Sequence, residues 1–236
     1  MTKQERAMNT RHALIRSAAQ AFDQHGYTRA KLAGISAGAG VSTGALHFHF
    51  DTKAAVAAAV ETEAARILHA VARRVHRRSP CALQAMVDTS HAFAQQLCWD
   101  VVVRAGFHLN SRTSHAAETD LLQEWLECVR RYLTRAAKEG TILAGASAED
   151  MTATIIGATI GFEGLARRDR EWLSRPTLSS LWRALLPRLA TPETLARLEP
   201  AGTESALSAA GGSAAPAPGG WEDTAREGAA RELPRD

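Results

Sequence analysis

The chain has 236 residues, of which 45% are hydrophobic and 22% charged, and this composition excludes a chain that is disordered throughout. The formal net charge of +3 is unevenly spread: residues 1–53 have seven Lys/Arg against three Asp/Glu, residues 54–198 have eighteen against fifteen, and residues 199–236 have three against seven. A basic head on a nearly balanced body favours a polyanionic partner for the head, with a merely solvated basic surface as the alternative.

The first twelve residues are polar and charged, and no apolar stretch of a signal peptide follows them. The most apolar stretch, residues 153–162, is too short to cross a bilayer. The three cysteines, Cys81, Cys98 and Cys128, are widely spaced and form no CxxC pair, so they indicate neither a disulfide framework nor a zinc site. We therefore expect a cytoplasmic protein without membrane contact, with the cysteines as small core residues.

Helical periodicity dominates the head. One apolar stripe predicts the first helix, and Gly26 is expected just beyond its end; the stripe consists of Leu14, Ile15, Ala18, Ala19 and Phe22. A short second helix is predicted over residues 29–37, where Gly38-Ala39-Gly40 breaks it. A third short helix is predicted over residues 42–48.

The body is also expected to be helical. A long fourth helix, residues 51–78, ends in Arg73, Arg74, Arg77 and Arg78, a cluster that suits a charged helix end as well as a DNA contact. Later helices are predicted over residues 82–97, 100–109, 118–139, 148–168 and 177–189. No segment alternates with period 2, so the fold class is expected to be all-α, with about nine helices and no sheet.

Residues 199–236 differ from the rest, being rich in Ala, Gly, Pro and Ser with almost no large apolar side chain. This composition predicts a disordered acidic tail. Its charge would allow weak competition with DNA for the basic head, but an inert tail is the preferred interpretation.

The two short helices of the head, joined by a glycine-containing turn and braced by the first helix, predict a helix-turn-helix over residues 1–53. The second of them begins with Ser42, Thr43 and Gly44, which are small or polar and allow close approach to phosphates and base edges. His47 follows one turn later, where its imidazole can donate to a phosphate or base acceptor. The sequence therefore predicts that this helix contacts DNA.

Other chemistry has little support. His47 and His49 are two residues apart, so a helix points them to different faces, and no third metal ligand is near in sequence. The chain has no Gly-rich phosphate loop after a strand, no HExxH and no nucleophile elbow. Acidic pairs such as Glu124 and Glu127 are interpreted as solvated helix faces. We predict no catalytic residue, no metal and no cofactor.

A long pattern of residues from Gly26 to Lys53 resembles the signature of TetR-family regulators. It consists of Gly26-Tyr27, Leu32-x-x-Ile35 and Ala39-Gly40-Val41-Ser42-x-Gly44-x-Leu46-x-x-His49-Phe50-x-x-Lys53. The resemblance covers about residues 8–60 and implies a three-helix DNA-binding head on a larger helical ligand-sensing and dimerisation domain, residues 54–198. It implies a contact of Lys53 with the DNA backbone. The expected DNA contacts are Arg29, Lys31, Ser42, Thr43, Gly44, His47 and Lys53.

Four positions depart from the family pattern. Lys31 stands where Thr or Ser is usual, His47 where Tyr is usual, and Thr43 where many members have Lys. Gly34 stands where the family has an acidic or polar residue, and inside a short helix it should cost about 1 kcal/mol relative to alanine. These departures bear on the operator sequence. Because Thr43 has no charge for a phosphate, we expect Lys31 to supply part of the positive charge that a lysine provides in those members.

Further segments narrow the resemblance to the γ-butyrolactone autoregulator receptors, which control antibiotic production. They are Lys3-Gln4-x-Arg6-Ala7, Gly44-Ala45-Leu46-His47-Phe48-His49-Phe50, Val102-x-Arg104-Ala105-Gly106 and Trp125. The resemblance implies that Trp125 lines a ligand pocket, where an indole suits a flat apolar ring and its N–H can bond a carbonyl; an ordinary core role is the alternative. Periodicity adds four candidates, namely Val129, Ile155, Thr159 and Phe162.

The resemblance also implies a homodimer on near-palindromic double-stranded operator DNA. Glycines 157, 161 and 164 allow close helix approach, and with Trp182, Leu185 and Leu186 they are expected to form the dimer interface. The expected function is a repressor that a butyrolactone-like signal, or a pathway product as in the related pseudo-receptors, releases from DNA, with the fourth helix carrying the motion. A DNA-binding regulator without any small-molecule signal is the alternative.

Overall fold

The computed structural model describes residues 2–112 and 120–210, and helices joined by short turns account for nearly all of them. The helices are α1 (Lys3–Arg29), α2 (Leu32–Gly38), α3 (Thr43–His49), α4 (Lys53–His76), α5 (Ala82–Trp99), α6 (Val101–Arg112), α7 (Leu121–Lys138), α8 (Ala148–Ala166), α9 (Arg175–Leu185), α10 (Pro192–Leu195) and α11 (Glu204–Ala210), with 3-10 turns at Arg170–Leu173 and Leu186–Arg188. In these ranges no strand forms, and one isolated antiparallel bridge joins Ile142 to Ala190. The all-α prediction is confirmed.

Side-chain caps and glycines decide where the helices begin and end. Thr52 accepts a hydrogen bond from the backbone N–H of Ala55, so α4 begins at Lys53. At Gly26, φ is +74°, a left-handed conformation that interrupts α1 near its predicted end. None of the helices in the described ranges is long and apolar enough to cross a membrane.

The head and the body share an apolar core. Helices α1, α2 and α3 contribute Leu14, Ile35 and Leu46, each completely buried. The same cluster continues into α4 and α6 through Val60 and Val102. The predicted boundary at residue 53 therefore lies between elements that pack on one another, and a displacement of α4 or α6 acts directly on the head.

Helices α4 and α6 touch at Gly106. A Cβ atom placed on Gly106 would lie 2.5 Å from the Cβ of Ala64 and 3.3 Å from the carbonyl oxygen of Val60. Only glycine fits such a separation, so the backbones of the two helices are in direct contact. A shift of α6 towards α4 at this point would therefore displace α4.

The predicted disordered tail is wrong for its first twelve residues. Residues 199–210, the C-terminal strap, lie against α5 and end in helix α11. Gln84 accepts from the backbone N–H of Glu199 at 2.8 Å and donates to its carbonyl at 3.2 Å, while Asp88 accepts from the backbone N–H of Thr203 at 2.8 Å and from its hydroxyl at 3.0 Å. The physical reason is that Gln84 and Asp88 are buried on one face of α5 and need partners. The rest of the predicted tail lies outside the described residues.

A second cluster of buried side chains holds α5, α7, α8 and α9 together. Trp182 is 1% exposed and donates its indole N–H to the hydroxyl of Ser90 at 2.7 Å, and Leu186 is completely buried. Leu185 also packs against this cluster. Trp182 and Leu186 therefore belong to the core of the protomer, so their predicted place in a dimer interface is wrong. Leu185 is half-buried, and its place in an interface stays a prediction.

Candidate DNA-binding surface and ligand cavity

The turn between α2 and α3 is fixed by hydrogen bonds and by two glycines. Gly40 has a φ of +68°, and the backbone N–H of Val41 donates to the carbonyl of Ser36 at 3.0 Å. A Cβ on Gly38 would lie 2.5 Å from the hydroxyl oxygen of Ser17, which itself donates to the carbonyl of Ile35 at 2.7 Å. The turn is therefore built on close contact with α1, which sets the angle between α2 and α3.

Helix α3 presents its first turn outward. Ser42 is the N-cap and accepts from the backbone N–H of Ala45 at 3.1 Å, while Leu46 on the opposite face is completely buried. Ser42, Thr43, Gly44 and His47 are exposed. A Cβ on Gly44 would meet only the Ser42 hydroxyl, at 3.8 Å, so nothing projects from this position. A phosphate or a base edge can approach such a surface closely.

Two further predicted contacts, Arg29 and Lys31, are exposed at the turn between α1 and α2. Lys31 is the N-cap of α2 and makes no capping hydrogen bond with its side chain. Both cations therefore lie at the surface of the head, where charge attracts a polyanion.

The ammonium group of Lys53 is bound within the protein. Its Nζ donates to the carbonyl of Thr28 at 3.1 Å and lies 4.7 Å from the centre of the Tyr27 ring. These contacts join the first residue of α4 to the end of α1. The geometry gives Lys53 a positioning role in the head, alongside its predicted contact with the DNA backbone.

Sequence reasoning missed Phe48. This side chain is 82% exposed, the largest exposed fraction among the large apolar side chains in the part of the chain that is described. It lies on α3 four residues after Gly44, one helical turn further along the same face. The four-residue spacing from Gly44 could have indicated this exposed position. Phe48 was missed because it lies in sequence between Leu46 and Phe50, two apolar residues that do face the core.

A cavity of about 60 Å³, the small cavity, is lined by residues of α4 to α9, and four of the five predicted ligand-binding residues line it. They are Trp125, Ile155, Thr159 and Phe162. The indole N–H of Trp125 donates to the hydroxyl of Thr159 at 3.1 Å across the cavity. Val129 does not line it: this residue is completely buried one turn further along α7, in the core cluster.

Trp125 also lines a second cavity of about 340 Å³ on its other side. Leu68, Phe93 and Leu121 are shared by the two cavities. Near the second cavity, His69 Nε2 lies 2.8 Å from the carboxylate of Glu124. The indole therefore separates a small apolar space from a larger and more polar one.

Helix α8 has an exposed face built from small residues. Gly157, Gly161 and Gly164 are exposed, and a Cβ on any of them would meet no other atom within 4 Å. Ile160 and Leu165 on this helix are 47% and 43% exposed. This face is apolar and flat in the protomer.

Within residues 2–112 and 120–210, no group of three or more His, Cys, Asp or Glu side chains is arranged to hold a metal ion. His49 is half-buried, and its ring packs at 5.2 Å against Phe48 and at 6.4 Å against Phe50. The two histidines of α3 therefore have different surroundings, since His47 is exposed.

Comparison with known proteins agrees with this geometry. Residues 14–60 match the family described as bacterial regulatory proteins, tetR family. The A-factor receptor protein of Streptomyces griseus is 28% identical over 203 residues, which cover 86% of this chain and 71% of the relative. These matches are regulators of transcription rather than enzymes.

Solved structures share the fold over most of the chain. TylP, a TetR regulator from Streptomyces fradiae, is 27% identical with a TM-score of 0.66, and the match covers 89% of this chain and 91% of the TylP chain. A γ-butyrolactone receptor described as ArpA-like is 24% identical with a TM-score of 0.71, and the match covers 87% of this chain and 96% of the receptor chain. The latter similarity is one of fold.

Proposed function

From the premise that the chain is a TetR-family transcriptional regulator resembling γ-butyrolactone receptors, we propose that it is a ligand-responsive repressor. Two protomers bind a near-palindromic operator, and a small molecule that enters the body weakens this binding. The observation that carries the proposal is the first turn of α3, where Ser42, Thr43 and Gly44 are exposed while Leu46 anchors the helix from behind. A helix held in this way can enter the major groove.

The predicted contacts divide by role. Arg29 and Lys31 supply charge for phosphates, and Ser42 and Thr43 supply hydroxyls and backbone N–H groups at the start of α3. His47 supplies a donor one turn later. Lys53 supports the head through Tyr27 and Thr28, and because its ammonium group has three N–H donors, it can also donate to a phosphate at the edge of the site.

The dimer is proposed to form through the exposed face of α8. Its three glycines permit close contact between two helices, and the exposed parts of Ile160 and Leu165 would lose water on association. Symmetry then presents two copies of α3 to successive turns of one face of the duplex. Near-palindromic DNA is the expected partner for this arrangement.

The proposed effector is small, mostly apolar and equipped with a carbonyl. The lining of the small cavity is apolar apart from a few polar groups, among them the Trp125 indole N–H and the Thr159 hydroxyl. The indole N–H now donates to the Thr159 hydroxyl, whose own proton goes to the carbonyl of Ile155. A lactone carbonyl can replace this hydroxyl as the acceptor of the indole N–H. A butyrolactone-like signal has this chemistry, and so do ketone-bearing products of an antibiotic pathway.

Release is proposed to follow from the size of the cavity. About 60 Å³ is far below the roughly 300–1,000 Å³ of a typical ligand site. An effector therefore enters the small cavity only if its walls move, for example if the Trp125 indole turns towards the second cavity or if α8 moves outward. The effector stabilises that expanded state, and operator affinity falls because the expanded state holds the two heads differently.

A ligand-independent regulator is the second candidate, and the same small volume favours it. In that case the Trp125–Thr159 contact is a permanent part of the core. The control of antibiotic genes is proposed only as the function most consistent with the receptor-like fold.

The test is to select bound duplexes from random DNA and then measure operator affinity by fluorescence anisotropy with a synthetic γ-butyrolactone bearing an alkyl side chain. The proposal expects a two-fold symmetric site and an increase in Kd on adding the lactone. Trp125→Ala should abolish the response, while Trp99→Ala, which changes a tryptophan outside both cavities, should preserve it. Operator binding that no lactone or pathway product alters would support the second candidate.

A further inference from the structure

A partly buried ion pair joins the DNA-binding head to the body. Arg104 on α6 donates to the carboxylate of Asp23 on α1, from Nε at 3.0 and 3.2 Å and from Nη2 at 2.9 Å. Both side chains are 19% exposed. Nη1 of the same guanidinium donates to the carbonyls of Leu97 at 3.3 Å and Cys98 at 3.1 Å, near the end of α5. Arg104 thus binds α1 of the head through Nε and Nη2 and α5 of the body through Nη1.

One helical turn further along α6, His108 lies between two carboxylates. Its Nε2 lies 2.8 Å from Oε1 of Glu163 on α8, and its Nδ1 lies 3.9 Å from Oδ1 of Asp23. Glu163 is 7% exposed and also accepts from Arg167 at 3.0 and 3.1 Å. A continuous set of contacts between titratable side chains therefore runs from α8 through α6 to α1, and we call Asp23, Arg104, His108 and Glu163 the charged relay.

The helices that hold the charged relay also form walls of the small cavity. On α8, Phe162 lines the cavity and Glu163 is the next residue. On α6, Phe107 lines the cavity and His108 is the next residue. Leu97, whose carbonyl accepts from Arg104, is a third lining residue. Any expansion of the cavity that separates α8 from α6 must lengthen or redirect the His108–Glu163 contact.

Helix α6 cannot adjust without moving its neighbours. Its contact with α4 at Gly106 leaves no space between the backbones, and Arg104 binds α1 through Asp23. A pull on His108 therefore reaches both the helix that follows the head and the first helix of the head. Low exposure of Glu163 and Asp23 makes these contacts stronger than surface ion pairs.

We infer that Asp23, Arg104, His108 and Glu163 are positioning residues that transmit expansion of the small cavity to the DNA-binding head. The inference rests on the proposed function, because it assumes that the head binds DNA and that the cavity takes an effector. It adds the route between them. A relay of this kind changes how strongly cavity occupancy alters operator affinity.

The test replaces the effector with a substitution, so that it does not depend on the identity of the ligand. Ala94 lines the small cavity and is 5% exposed, and Ala94→Phe places a permanent ring there. Operator Kd is measured by anisotropy on a selected duplex, first for the parent and for Ala94→Phe. The same pair, without and with Ala94→Phe, is then measured in Glu163→Gln and in Asp23→Asn. The matched control is Glu127→Gln, which removes one carboxylate from an exposed pair with Arg130 on α7. Glu163→Gln, Asp23→Asn and Glu127→Gln each remove one negative charge, so their general electrostatic effects on DNA affinity are comparable.

The expected result is that Ala94→Phe raises the operator Kd by about tenfold or more in the parent and in Glu127→Gln, the size of a common allosteric coupling. In Glu163→Gln and Asp23→Asn the same substitution should raise Kd by less than about threefold. An equal increase in all four backgrounds would overturn the charged relay and leave the proposed function standing. No increase in any background would overturn the proposed ligand response, and the relay with it.

Circular dichroism and thermal unfolding establish that each variant is folded before its Kd is compared. If Ala94→Phe does not fold, the smaller Ala94→Leu takes its place in the same cycle. A relay residue that acted only on folding would lower Tm and leave the ratio of the two Kd values unchanged, and this outcome counts against the inference.

Discussion

Asp23 on α1 and Arg104 on α6 form three hydrogen bonds of 2.9–3.2 Å across the junction between the head and the body. Each side chain is 19% exposed, so water screens the pair only in part. Arg104 lies in the first turn of α6, and its guanidinium donates to the head carboxylate on one side and to the end of α5 on the other. The position of the head on the body therefore depends on this pair.

Arg104→Met should lower the free energy of unfolding by about 2 kcal/mol, because it leaves the Asp23 carboxylate largely without water and without its partner. Urea denaturation followed by circular dichroism measures this change. Arg130→Met is the matched control, since Arg130 and Glu127 are about half exposed and their pair should contribute less than about 1 kcal/mol. Equal losses in the two variants would mean that the junction pair has no special weight.

Phe48 is expected to contact a thymine methyl group in the major groove, because it is exposed on α3 and has no polar atom. Replacing the facing dT by dU in the selected operator removes one methyl group and should weaken binding about fourfold, near the 0.8 kcal/mol of a buried methylene. Phe48→Ala should bind both duplexes equally. His47→Ala should bind more weakly than the parent and still prefer dT. A dT preference that survives in Phe48→Ala would assign the methyl contact elsewhere.

Thr43→Glu places a carboxylate on the exposed first turn of α3 and should raise the operator Kd by at least about tenfold through repulsion of phosphates. The slope of log Kd against log salt should change as well. Ala196→Glu adds the same charge at the exposed C-terminal end of α10, away from the head, and should have little effect. Similar losses in both variants would indicate a response to net charge alone.

Thr203→Val tests the C-terminal strap. The hydroxyl of Thr203 donates to the completely buried carboxylate of Asp88 at 3.0 Å, so its loss removes a hydrogen bond to a buried charge. The expected cost is about 1–3 kcal/mol in urea denaturation. Ser208→Ala changes an exposed hydroxyl of the same segment and should stay within about 0.5 kcal/mol of the parent. A neutral Thr203→Val would show that the strap is not held through Asp88.

Glu163 predicts a pH dependence. Burial alone would raise the pKa of its carboxyl, but hydrogen bonds from His108 and Arg167 outweigh burial and lower the pKa below its ordinary value. A lowered pKa in the folded state stabilises the protein above the pKa of the unfolded chain, near 4.3, and this stabilisation is lost as pH falls through the lower value. The stability difference between the parent and Glu163→Gln should therefore shrink from about pH 6 to about pH 3. A constant difference across this range would contradict the assignment.

The fold of the head could be predicted from the sequence because the local signals agree there. The apolar stripe of α1, the glycines of the turn and the N-cap at Ser42 each favour the same arrangement. The family resemblance gave Trp125, and helical spacing gave Ile155, Thr159 and Phe162; all four line one cavity. Helical spacing also gave Val129, which belongs to the core cluster instead.

The remaining features depend on contacts between distant segments. Composition made residues 199–210 resemble a disordered tail, but their backbone groups supply partners for Gln84 and Asp88, more than one hundred residues earlier. The sequence predicted Trp182 in the dimer interface, but its side chain is buried in the core of the protomer and its indole N–H donates to Ser90. The Asp23–Arg104 pair spans 81 residues, and no local pattern marks it.

The most direct test of the central claim is the stoichiometry and affinity of the purified protein on a selected symmetric duplex, compared with a duplex that has one half-site scrambled. Sedimentation with a labelled duplex gives both values at a fixed salt concentration. A symmetric repressor with α3 in the groove should place two protomers on the intact site and lose at least about a hundredfold in affinity on the scrambled one. Equal binding of both duplexes by a single protomer, or no binding to any duplex at low salt, would contradict the account.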